Sequence, residues 1–174
     1  LSVVLIIYAV VVGMLVPLKP GLAYVSPETT VAGQEIRLKI HGYNTFYTRA
    51  KAEDIRVWLQ YNEELAIMGK ALTVISDTIL EASFQMPAIL PKESPSVMLN
   101  AIVDHPNDGV SLLPSAIELK ADTAATVAGA ADWKQNPVEK LHVIKDVSFP
   151  YRNVIYESIR NTYYHVPMWF ALMF

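Results

Sequence analysis

The middle of the chain alternates between apolar and polar residues, and that period fixes what it can become. Ile36, Leu38 and Ile40 alternate with Arg37, Lys39 and His41. Ile55, Val57 and Leu59 alternate with Arg56, Trp58 and Gln60, and Leu80, Ala82, Phe84 and Met86 with Glu81, Ser83 and Gln85. Val97, Leu99, Ala101 and Val103 follow, then Ile117 and Leu119. A period of two gives a strand one apolar and one wet face, and such strands leave water by packing apolar face on apolar face. Ser26-Pro27, Gly33, Gly42, Asn62-Glu63, Ser76-Asp77, Pro87, Pro91, Ser94-Pro95 and Asn107-Asp108-Gly109 supply the turns. Seven strands are predicted, near 22–25, 35–41, 54–60, 66–75, 78–86, 96–103 and 115–120. Short strands so punctuated predict a mainly β fold, an immunoglobulin-like β-sandwich over 21–120. That length can bury a core without disulfides, and the sequence has no cysteine.

The flanks differ. The chain is 52% hydrophobic and 18% charged, which excludes a disordered polymer, and its net charge of −3 offers no electrostatic reason to bind nucleic acid. Leu1 to Val16 carries no charge. Those residues span roughly 24 Å as a helix, against a hydrocarbon core of about 30 Å. Residues 1–17 are therefore expected to be a truncated transmembrane helix ended by Pro17, Lys19 and Pro20; a signal-peptide core and a buried helix are the competing readings. Val166 to Phe174 is apolar and is expected to begin a second, truncated transmembrane helix, with Pro167 in its first turn. Residues 121–140 read as a linker, Ala- and Thr-rich and then polar around Trp133. Residues 141–165 read as an interfacial amphipathic segment, with Ile155, Ile159, Thr162 and Val166 on one helix face and tyrosines suited to a lipid boundary.

Candidate chemistry is sparse. His41, His105 and His142 have no metal-ligand spacing. Asp104, Asn107 and Asp108 suggest Ca²⁺, but the EF-hand loop pattern is absent and a tight turn is the better reading. Glu63-Glu64 reads as solvated charge. No nucleophile elbow, phosphate loop, dinucleotide fingerprint or H-E-x-x-H occurs, so an enzyme is not expected. His165 stands at the expected junction of water and lipid, where a neutral imidazole is a good axial ligand for haem iron. Tyr163, Tyr164 and Trp169 can lie against a macrocycle, and Arg160 can pair with an anionic group.

The block Ile159-Arg160-Asn161-Thr162-Tyr163-Tyr164-His165-Val166-Pro167-Met168-Trp169-Phe170 resembles one in the CcmC/CcsA family of cytochrome c biogenesis proteins. The resemblance implies an integral protein of the inner membrane with residues about 18–165 extracytoplasmic. It implies that His165 is an axial ligand of a transient haem b, delivered during cytochrome c maturation. The implied partners are haem, a haem chaperone, ABC transporter subunits and membrane lipid. The sandwich would then be an insertion. The alternative is a membrane-anchored extracytoplasmic β-sandwich for adhesion or carbohydrate binding.

Overall fold

The alternating segments form nine strands in a computed structural model that describes residues 2–122, 133–134 and 137–173. They are β1 (Gly21–Ser26), β2 (Thr29–Val31), β3 (Glu35–Tyr43), β4 (Arg56–Gln60), β5 (Ala66–Met68), β6 (Lys70–Ser76), β7 (Ile79–Gln85), β8 (Ser96–His105) and β9 (Gly109–Lys120). Two helices lie outside them, α1 (Ser2–Leu15) and α2 (Ile159–Met173). The chain divides into two compact units, one of Pro20–Ile144 and one of Leu1–Lys19 with Lys145–Phe174.

The first unit holds both sheets, one in the order β1-β3-β7-β6 and the other β2-β9-β8-β4-β5. Neighbours are antiparallel except β2 and β9, which are parallel. That order is the one immunoglobulin-type sandwiches use. Leu38, Ile40, Leu80 and Phe84 of one sheet share a buried cluster with Val57, Leu59, Leu99, Val103 and Ile117 of the other. These are the apolar members of the alternation, so period two settles both the strands and the face each one buries.

The strands depart from the sequence reading in three places, the first being β2, which is not among the expected strands and pairs in parallel with β9. The stretch 66–75, expected as one strand, splits at Gly69: β5 pairs with β4 and β6 with β7, in different sheets. The Gly69 amide donates to the Val57 carbonyl at 2.8 Å, and a Cβ at this crossing would stand 3.0 Å from the Phe84 ring. The strand expected near 115–120 begins at Gly109 instead. Its ladder steps from Leu99↔Ile117 to Ala101↔Leu113, so Pro114, Ser115 and Ala116 form a bulge that interrupts the alternation. The Asn100 side-chain oxygen accepts the Ser115 amide there at 2.9 Å.

The linker reading fails at Trp133. Residues 123–132 and 135–136 lie outside the described residues, but Trp133 is fully buried in the sandwich core. Its indole N–H donates to the Ile89 carbonyl at 3.1 Å.

Gly42 near the end of β3 marks another tight approach. A Cβ there would stand 2.7 Å from the Thr45 methyl and 2.9 Å from the Tyr47 hydroxyl, and both residues are buried. Gly42→Ala is expected to cost about 1–3 kcal/mol as an overpacking change. Urea denaturation checks this; a loss under about 0.5 kcal/mol would show that the 44–47 loop yields freely.

In the second unit, α1 and α2 are 14 and 15 residues long. At 1.5 Å per residue each is roughly 21–23 Å. Among the described residues no helix is long and apolar enough to cross a membrane, so the two flanking transmembrane helices expected from the sequence are not found. Of the amphipathic segment expected over 141–165, only its last third is helical. Residues 141–155 are not helical, a single 3-10 turn covers Tyr156–Ser158, and α2 starts at Ile159. Pro167, expected in a first turn, falls in the interior of α2.

Arg160 explains how this helix pair is tied. The last carbonyls of a helix lack internal partners, and a cation there satisfies them. Arg160 Nη1 donates to the Gly13 carbonyl at 2.8 Å and to the Val16 carbonyl, while its Nε pairs with Glu157 at 2.7 Å. The guanidinium also lies over the Phe149 ring. The Lys19 amide donates to the Phe149 carbonyl and the Phe149 amide to that of Pro17, closing the unit beside α1.

Candidate functional site

Period two puts Arg56, Trp58 and Gln60 on the outer face of the five-stranded sheet. The ladder continues that face across the strands. Trp58 stands opposite Met68 and Ile102, and Ile102 opposite Leu112. In the next row Arg56 stands opposite Asp104, and Asp104 opposite Val110. An outer face is ordinarily wet, but here Trp58 is 2% exposed and Asp104 0%. The cover is a strap, residues 137–144, which has neither helix nor strand. Val138 and Leu141 of the strap, together with Met68 and Val110, pack against the buried cluster of Trp58, Ala66 and Ile102.

Side chains of the sheet clasp the strap by its main chain. The His142 amide donates to Asp104 Oδ1 at 2.8 Å. His142 Nδ1 lies 2.9 Å from Asp104 Oδ2, which places the ring proton on Nδ1. Arg56 Nε donates to the same Oδ2 at 3.1 Å, and Nη2 reinforces the pair. The guanidinium then reaches outward, Nη1 to the Glu139 carbonyl at 3.1 Å and Nη2 to the Lys140 carbonyl. Burial alone would raise the Asp104 pKa. The His142 amide, Arg56 and the His142 ring outweigh it and hold the carboxyl below its ordinary range. Gly109 completes the seat, because a Cβ there would stand 2.8 Å from Ile144 Cγ1 and 3.4 Å from the His142 carbonyl.

Beside the strap the face opens into a groove of about 340 Å³ lined by Gln60, Glu63, Ile102, Val110, Leu112, Val138 and Leu141. Leu112 is 55% exposed, and Glu63 and Glu64 are exposed carboxylates.

The turn that suggests Ca²⁺ in the sequence has other partners. Asp108 Oδ2 accepts the Phe46 amide at 2.7 Å, His105 Nδ1 accepts the Asp108 amide at 3.0 Å, and Asn107 donates to the Arg49 carbonyl. These bonds tie the 46–49 loop to the β8–β9 turn. Tyr47 packs edge-on against His105, and burial first, then the Asp108 charge, push its hydroxyl above the usual phenol range. Among the described residues no three His, Asp or Glu side chains gather as a metal site.

The residues singled out from the sequence lie elsewhere, on α2. His165 is exposed and Trp169 is 69% exposed. Arg160 holds the end of α1, and the Tyr164 hydroxyl donates to the Val10 carbonyl at 3.4 Å. The Tyr163 side chain is outside the described residues.

No family model matches the chain. No curated protein matches it either. Among solved structures, a superoxide reductase (neelaredoxin) from Ignicoccus hospitalis aligns over 64% of this chain and 86% of that chain, at 12% identity and a TM-score of 0.37. A likeness of that strength transfers no chemistry. With no family match and no membrane-crossing helix among the described residues, the CcmC/CcsA assignment is withdrawn. Haem delivery in cytochrome c maturation, the inner-membrane placement and the membrane-anchored alternative go with it.

The clasp escaped the sequence reading although two signals announce it. Trp58 sits at a polar position of the β4 alternation, and Ile102 interrupts the alternation of β8 between Ala101 and Val103. Both mark an outer face that something covers.

Proposed function

We propose that this chain is a non-catalytic binding module whose outer sheet face takes an apolar side chain from a basic peptide. The groove carries the reading: five apolar side chains line it, and Glu63 supplies a carboxylate beside them. The nearby ionisable groups support a role in holding rather than in turnover. Asp104 and Asp108 are engaged by main-chain amides, and Arg56 by Asp104 and two carbonyls. An apolar wall with few polar groups is the usual make-up of a recognition site.

The test uses two capped tripeptides, Ac-Lys-Leu-Lys-amide and Ac-Glu-Leu-Glu-amide, titrated into methyl-labelled protein. The expected result is saturable movement of the Val110 and Leu112 methyl resonances, with the lysine peptide binding about threefold more tightly, as an exposed charge pair allows. Glu63→Gln should remove most of that preference. Methyl signals that stay still, or equal affinity for both peptides, would refute the reading.

A further inference from the structure

The strap is held in an unusual way. It lies across the outer face of the five-stranded sheet and forms no ladder, so its main chain is held by side chains alone among the described residues. Arg56 and Asp104 grip two of its carbonyls and one of its amides, contacts that any extended peptide offers. Its side chains contribute two apolar groups three residues apart, Val138 and Leu141. Beneath them the Trp58 indole N–H is buried with no hydrogen-bond partner among the described residues. Such a donor carries a desolvation cost that a better-fitting occupant can remove.

We infer that the strap occupies in cis a peptide site that continues the groove, and that a partner's extended segment with two apolar residues three apart displaces it. Arg56 and Asp104 then read the partner's main chain, and Trp58 supplies a further donor. This rests on the binding-module reading and adds its regulation: the site is closed by the chain's own segment until a competitor arrives. The occupant is a peptide because the clasp contacts are main-chain contacts, and its spacing is that of the strap that fits there now.

The experiment supplies the strap in trans as fluorescein-labelled Ac-Pro-Val-Glu-Lys-Leu-His-Val-Ile-amide, the sequence of residues 137–144. The full chain carrying Val138→Ser with Leu141→Ser should bind it at least tenfold more tightly than the wild-type chain, because the cis competitor is weakened while the sheet is untouched. Binding should move the Trp58 indole resonance, and adding Arg56→Gln to the double variant should abolish it. A second variant works in the opposite sense. An ideal Cβ at Gly109 stands 3.6 Å from Ile144 Cβ, within disulfide range, and the chain has no other cysteine; Gly109 lies at φ +75°, so the strain of a side chain there is common to both redox forms and cancels when they are compared. Gly109→Cys with Ile144→Cys should refuse the peptide when oxidised and accept it when reduced. A folded double-serine variant that binds no better than wild type, or an oxidised lock that binds as well as the reduced form, overturns the inference. The lysine tripeptide separates the two readings: if it still enters the wild-type groove, only the displacement idea has failed.

Discussion

Trp133→Ala is expected to lower the stability of the sandwich by about 4 kcal/mol, the range for deleting a large buried aromatic side chain. Trp133 is fully buried among core residues of both sheets although it follows the last strand. Its removal leaves a cavity walled by regular structure, which can relax only in part. The melting temperature should fall by roughly 15 °C. Trp133→Phe keeps most of the volume and loses the indole bond to the Ile89 carbonyl, so it should cost only about 1 kcal/mol. Thermal unfolding of both variants, followed by circular dichroism, checks the pair. Equal small losses would mean that Trp133 rests against the core without filling it.

The second large effect belongs to Asp104. Asp104→Ala is expected to cost about 3 kcal/mol, near the lower end for breaking a buried ion pair. The lower end applies because the side chains of Arg56 and His142 keep access to water at 25% and 43% exposure while Asp104 has none. The pH dependence has a defined direction. The folded state holds Asp104 below its ordinary range, so the folded chain keeps it ionised where the unfolded chain takes up a proton. This contribution is complete above the unfolded value of about 3.9 and is lost as the pH falls from there through the lower folded value. Below about pH 4 the wild-type chain should lose up to about 1.4 kcal/mol more per pH unit than Asp104→Asn, which has no such proton to bind. Urea midpoints of the two chains from about pH 6 down to roughly pH 2.5 measure the difference. Parallel curves would remove Asp104 from the clasp.

How far these features are readable depends on whether their cause is local. The alternation at Ile36, Leu38 and Ile40 reports burial directly, and these residues face the core. Gly69 carries no such signal, because a switch between sheets is decided by the pairing partners β4 and β7. Trp133 is surrounded by polar residues, so nothing local announces that a distant core admits it. The clasp is a long-range object as well. Arg56 and Asp104 are brought together by ladder register, and His142 by a strap whose course no periodicity describes. The apolar flanks mislead for a different reason. Composition shows that Leu1 to Val16 avoids charge, while the helix itself ends at Leu15 and has its terminal carbonyls met by Arg160.

Trp133 also sets an order of events during synthesis. When Lys120 leaves the ribosome every described strand has been made, but the indole that completes the interior is still inside the exit tunnel. A nascent chain stalled at that point should hold both sheets loosely, and firm closure should follow only when the tail beyond the last strand has emerged and folded back.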